Sequence, residues 1–125
     1  MAETKINRIW VTSSEQLDEG DYLYRDCQFR GQATSIFVFR HKGICKAYRN
    51  LCVHMPRTLN CEANTIYDET GENLRCSMHG IIYDPETGES LSTMCSGQKL
   101  TSIKVVEDEQ GIWIQDKRIK LLILE

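Results

Sequence analysis

The chain has 125 residues, 41% of them hydrophobic and 26% charged, with a net charge of −3. That is enough for one domain with a core that needs no disulfide staples. The mild acidity leaves no nucleic-acid footprint, and no apolar run approaches the roughly 20 residues of a membrane span. Met1-Ala2-Glu3-Thr4-Lys5-Ile6 lacks the basic-then-apolar order of a secretory signal, so a soluble, cytoplasmic protein is expected.

Local patterning predicts strands almost throughout. Ile6 to Val11 has apolar residues on alternating and adjoining positions, and Ser14-Glu15-Gln16-Leu17 offers the one helix start, a short one. Asp21 to Arg25 follows the breaker Gly20, and Cys27 closes a further strand-like run. Thr34 to Arg40 and Gly43 to Tyr48 flank His41-Lys42, predicted as a hairpin turn. Thr65-Ile66-Tyr67 and Asn73-Leu74-Arg75 flank Asp68 to Glu72, which reads as two short strands joined by a glycine-containing turn. Leu100 to Val106 and Ile112 to Gln115 flank Glu107 to Gly111, another hairpin. The tail from Arg118 to Glu125 is apolar enough to be a last strand on the core, or else an edge open to a partner. Many short strands at close spacing predict an all-β sandwich or barrel. Cys27 and Cys45 read as small core residues, and Cys61 and Cys95 as structural residues in turn-rich sequence.

Two mixed pairs carry the chemistry: Cys52-Val53-His54 and Cys76-Ser77-Met78-His79. Each sets a thiol and an imidazole within one loop, so together they supply four N/S ligands to one metal centre. Structural zinc accepts a Cys₂His₂ set, as does an iron–sulfur cluster in which two histidines replace two cysteines. Zinc fingers usually pair like with like; these loops are mixed.

The arrangement resembles the Rieske family, whose motif runs Cys-x-His and then Cys-x-x-His-Gly with an aromatic four residues beyond the histidine. Here Cys76-Ser77-Met78-His79-Gly80-Ile81-Ile82-Tyr83 supplies the second part, and Asp84-Pro85-Glu86-Thr87-Gly88-Glu89 matches the turn that follows. Two features depart from the pattern. The 21 residues between His54 and Cys76 exceed the family's usual gap, and Pro56 stands where many members have glycine. The cysteines that form an inter-loop disulfide in respiratory members are replaced by Arg57 and Met78.

The resemblance implies a single domain over residues 1–125, with a cluster-binding part of two loops at about residues 50–90. It implies a Rieske [2Fe–2S] cluster held by Cys52, His54, Cys76 and His79. It also implies two positions that tune the cluster. High-potential members have a serine after the His-Gly pair and a tyrosine three residues after the glycine, both hydrogen-bonding to cluster or ligand sulfur. Ile81 and Tyr83 occupy those positions here. The expected function is one-electron carriage from a flavin-type reductase to a terminal redox enzyme such as an oxygenase. The alternatives are a ferredoxin-like small subunit of a larger redox enzyme, such as a nitrite reductase, and a zinc-stabilised interaction domain. Oxygenase catalysis is not expected: a mononuclear iron needs two histidines and a carboxylate, and His41 is the only histidine left over. The stretch from Glu62 to Glu89 holds seven carboxylates and one arginine. It reads as a solvated hairpin and turn, or as a docking face.

Overall fold

The alternating sequence folds into ten strands and a single 3₁₀ turn in a computed structural model that describes residues 8–53, 58–59, 65–77, 80–92 and 97–121. Contacts divide the chain into a unit of residues 1–47 and 103–125 and a unit of residues 48–102. No helix among the described residues is long and apolar enough to cross a membrane.

The strands are β1 (Ile9–Thr12), β2 (Tyr22–Phe29), β3 (Gln32–His41), β4 (Ile44–Arg49), β5 (Leu74–Arg75), β6 (Ile82–Tyr83), β7 (Ser102–Ile103), β8 (Val105–Asp108), β9 (Gly111–Ile114) and β10 (Ile119–Leu121). They form a three-stranded sheet ordered β1-β9-β8, a five-stranded sheet ordered β10-β2-β3-β4-β7 and the ribbon β5-β6. In the first unit, the inward residues of two sheets meet in one apolar cluster. Val11, Ile112 and Ile114 come from the smaller sheet; Cys27, Ile36, Val38, Cys45 and Ile119 come from the larger. Cys27 and Cys45 are thus core residues, as their alternating runs suggest.

The longest pairing, β2 with β3, runs in unbroken register from Tyr22↔Phe39 to Phe29↔Gln32. Its turn, Arg30-Gly31, has φ of 51° and 86°, the doubly left-handed form whose twist suits a two-residue hairpin. The β3–β4 turn repeats this at Lys42-Gly43, with φ of 53° and 81°. His41, predicted in the turn, therefore ends β3, and the turn falls one residue later. The predicted strand over Leu100 to Val106 is two strands. It breaks at Lys104, whose amide donates to Asp116 Oδ2 at 3.0 Å and whose carbonyl accepts from Gln115 N. β8 runs on to Asp108, whose Oδ1 accepts from the amides of Gln110 and Gly111 and shortens the predicted five-residue turn to two. Ser14–Gln16 is the 3₁₀ turn, and the tail contributes β10, paired antiparallel with β2. The expected positions Ile6, Asn7 and 122–125 lie outside the described residues.

Arg40 joins these pieces. Its guanidinium donates to the carbonyls of Leu17 (2.6 Å) and Ser14 (3.4 Å), next to and within the 3₁₀ turn, and forks onto Glu107 of β8 at 2.9 and 3.1 Å. That fork lowers the Glu107 carboxyl to about 2. A carboxyl depressed on folding adds stability above its unfolded value, lost as pH falls towards the folded one. Glu107→Gln is therefore expected to remove about 1 kcal/mol at neutral pH for this part-exposed pair. It should also flatten the acid slope between about pH 4.5 and pH 2. Urea unfolding midpoints across that pH range check both effects.

Candidate metal centre

The site is built in the unit of residues 48–102 by two loops, one following β4 and one joining β5 to β6. β4 ends at Arg49, whose amide donates to Thr101 O at 2.9 Å, and the chain turns at once, with Leu51 N donating to Arg49 O at 2.8 Å. This delivers Cys52 into the interior at 3% exposure. Asn50 is also buried, and its Oδ1 accepts from Leu59 N at 2.9 Å, closing the first loop on itself. An amide side chain is buried only where hydrogen bonds replace its lost water.

The second loop is drawn to the first through the same residue. Leu59 O accepts two bonds from Ser77, one from its amide and one from its hydroxyl, both 2.8 Å. Within the loop, Gly80 N donates to Cys76 O at 2.8 Å and Cys76 N to Ile81 O at 2.9 Å. Gly80 holds φ at 75°, a value that favours glycine. Cys76 is 1% exposed, as is Ile81.

The insertion ahead of Cys76 holds the predicted turn, but of its two predicted strands only Leu74–Arg75 forms one, paired with β6, and residues 65–67 meet it through a single bridge. Tyr67 bridges Leu74, Asp68 N donates to Asn73 O, and Asp68 Oδ1 accepts from the amides of Thr70 and Gly71. The turn after the motif is equally regular. Gly88 N donates to Asp84 O, and a Cβ at Gly88 would stand 2.8 Å from the Tyr48 ring, so the ring packs where only glycine fits. The Tyr48 hydroxyl donates to Pro85 O at 2.9 Å.

Tyr83, on β6, is fully buried and reaches back to the first loop. Its hydroxyl oxygen accepts from Val53 N at 3.2 Å and lies 3.2 Å from Cys52 Sγ. Once Cys52 is a thiolate it has no proton to give, and the phenol O–H is the donor in that contact. Burial and then the bond to Cys52 push the phenol well above its ordinary value, so it stays protonated and a donor. Negative charge on either Cys52 or Cys76 raises it further, so both sulfurs bear on one hydroxyl. Ile81, in contrast, brings no side-chain donor to the site.

Cys52 and Cys76 are thus both buried, and both bear on the Tyr83 hydroxyl. His54 and His79, the other two predicted ligands, lie outside the described residues, as do Pro56, Arg57, Met78, Cys61 and Cys95. Among the described residues no three His, Cys, Asp or Glu side chains gather to hold a metal ion. The two buried thiols, with a hydroxyl donor already turned to one of them, fit a thiolate-bound centre. Metal binding requires deprotonated sulfur, and a donor stabilises that charge. The Asn50–Leu59–Ser77 tie had no signal in the sequence, because two of its three bonds end on a backbone carbonyl.

A family model for the Rieske [2Fe–2S] domain matches residues 7–107. The chain belongs to that family. No curated protein matches the sequence. Among solved structures, the chain is similar to the ferredoxin of carbazole 1,9a-dioxygenase from Nocardioides aromaticivorans IC177. The TM-score is 0.66 at 21% identity, over 87% of this chain and 97% of that one. It is also similar to a chain of an oxygenase–ferredoxin complex of carbazole 1,9a-dioxygenase (TM-score 0.68, 20% identity, 89% of this chain). A third is the terminal oxygenase of carbazole 1,9a-dioxygenase from Novosphingobium sp. KA1 (TM-score 0.66, 17% identity, 97% of this chain). The chain spans only 29% and 31% of those last two chains. At these identities the likeness establishes a shared, nearly all-β fold.

Tyr83→Phe keeps the ring that fills the interior and removes one donor from Cys52. The loaded protein is expected to show a reduction potential lower than the parent's, on the order of 50 mV, corresponding to about 1 kcal/mol. Protein-film voltammetry of both proteins checks this.

Proposed function

We propose that the chain is a one-electron carrier whose Rieske-type [2Fe–2S] cluster is held by Cys52, His54, Cys76 and His79. A bound cluster of this kind accepts and releases a single electron. The observation that carries the reading is the Tyr83 hydroxyl at 3.2 Å from Cys52 Sγ, with Cys76 buried in the adjoining loop. A hydrogen bond to a ligand sulfur is one of the levers by which proteins set such potentials. The family assignment over residues 7–107 supports the cofactor.

The residues divide the work. Cys52 and Cys76 supply anionic ligands from the dry interior, and His54 and His79 complete the set with neutral ones. Two neutral imidazoles in place of two thiolates leave the centre less negative, so an added electron is better tolerated and the potential lies above that of plant-type ferredoxins. Tyr83 stabilises sulfur charge in the reduced state, and Asn50, Leu59 and Ser77 hold the loops so that little rearranges between redox states. The electron source is a flavin-type reductase and the acceptor a terminal redox enzyme, in keeping with structural neighbours that are a ferredoxin and an oxygenase–ferredoxin complex. The carrier itself performs no oxygenation and is soluble and cytoplasmic.

Purified protein is expected to be red-brown, with two iron and two sulfide per chain. Cys52→Ser and Cys76→Ser should abolish that content, while His54→Cys or His79→Cys should retain part of it at a lower potential, since a neutral ligand becomes anionic. Colourless protein with one zinc would instead make the chain a zinc-stabilised domain. The potential of the parent protein is expected in the lower part of the Rieske range, at about −150 mV rather than near +300 mV. Ile81 offers sulfide no hydroxyl, and voltammetry reads the value directly.

A further inference from the structure

The unit of residues 1–47 and 103–125 contains a cleft of about 840 Å³ between the β2–β3 turn and the segment leading into β10. Its volume lies in the range of small-molecule sites. Five cations line it: Arg30, Lys104, Lys117, Arg118 and Lys120. The single carboxylate in the lining, Asp116, is already consumed. It accepts from Arg118 Nη2 at 2.6 Å and Nε at 2.9 Å, and from the amides of Lys104 and Arg118, both at 3.0 Å. Arg30, Lys104, Lys117 and Lys120 therefore line one hollow with no carboxylate of the lining left to answer them, in a chain whose net charge is −3.

The scaffold around these cations is fixed. The Arg30 amide donates to Arg118 O at 2.8 Å, locking the turn to the β10 segment. The guanidinium groups of Arg30 and Arg118 lie 5.7 and 5.1 Å from the centre of the Phe29 ring, which restrains both planar groups. Gln28 stands opposite Lys120 in the β2–β10 register and adds an amide to the lining.

We propose that this cleft binds a small organic polyanion carrying at least two phosphate groups. Guanidinium planes recognise phosphate and carboxylate alike, so charge density decides between them. Matching four cations within one small hollow takes about two phosphates, but about four carboxylates, which a ligand of this size seldom presents. A protein partner is disfavoured because nine lining residues fall well short of the 20–30 per side of a standard interface. A single-stranded nucleic acid is disfavoured because such sites stack bases on open rings, and Phe29 is only 9% exposed.

The test is calorimetry of the full-length, cluster-loaded protein at low salt with sodium tripolyphosphate, orthophosphate and hexaglutamate, accompanied by amide chemical-shift mapping. Tripolyphosphate is expected to bind about tenfold or more tighter than either comparator. Shifts should be confined to Gln28, Arg30-Gly31, Lys104 and residues 115–120. Lys117→Glu/Lys120→Glu, a change at two exposed positions, is expected to weaken tripolyphosphate about tenfold or more while leaving the visible spectrum of the cluster unchanged. Equal affinity for orthophosphate would overturn the proposal. So would unchanged binding in the double variant, or shifts elsewhere. Hexaglutamate binding as tightly as tripolyphosphate would also overturn it, assigning the cleft to an acidic peptide segment.

Discussion

The backbone of Leu59 is where the two loops of the candidate metal centre become one structure. Its amide is held by the buried Asn50 side chain, and its carbonyl takes both donors of Ser77. Without these bonds, the relative position of the loops carrying Cys52 and Cys76 rests on side-chain packing and on the reach of the Tyr83 hydroxyl to Val53 N and Cys52 Sγ. A buried amide–carbonyl set of this kind contributes only about 1 kcal/mol per bond net, but leaving its members unsatisfied costs more. The asymmetry makes the tie a specifier of geometry rather than a large source of stability. Respiratory Rieske proteins bind their loops by a disulfide, and this chain has Arg57 and Met78 at those positions. Hydrogen bonds to a backbone carbonyl do the equivalent work within the described residues.

The interior of the centre is tuned by what is missing as much as by what is present. Tyr83 supplies one donor to Cys52, and at the position where high-potential members carry a hydroxyl, Ile81 is buried instead. Ile81 adds packing at that position and no polarity. Its backbone carbonyl is engaged by Cys76 N, so the same residue keeps the ligand loop in shape. The position has been given to packing and loop geometry, and the electrostatic cost falls on the reduced state.

Residues with a local chemical reason were legible in the sequence; those with a distant one were not. Cys52 and Cys76 declare themselves by spacing, and Tyr83 by its offset from the second motif. The turn at 68–73 was legible because Asp68 and Gly71 are turn residues with side-chain and backbone reasons to be there. The Arg30-Gly31 turn was missed because arginine is not a residue expected at a left-handed first turn position. There the long β2–β3 register and the bond to Arg118 O impose the conformation. The break at Lys104 was missed for the same kind of reason, since its cause is the carboxylate of Asp116, twelve residues away. The Asn50–Leu59–Ser77 tie spans 27 residues and ends on a carbonyl that every residue type possesses.

Charge is divided between the two units in a way that bears on partners. Residues 48–102 hold four of the fifteen basic and seven of the eighteen acidic residues, so the entire net charge of −3 resides there. The remaining residues carry eleven of each sign, yet four of their cations gather in one cleft. An acidic surround makes each added electron less welcome, acting in the same direction as the absent hydroxyl at Ile81. Under the proposed electron-carrier reading it would also favour a redox partner with a basic face and steer its approach. The cleft selects ligands of the opposite sign. Both associations weaken with salt, but only occupancy of the cleft answers to competition by a small polyanion. An ionic-strength effect on electron transfer that tripolyphosphate matches but does not exceed at equal ionic strength would therefore belong to residues 48–102.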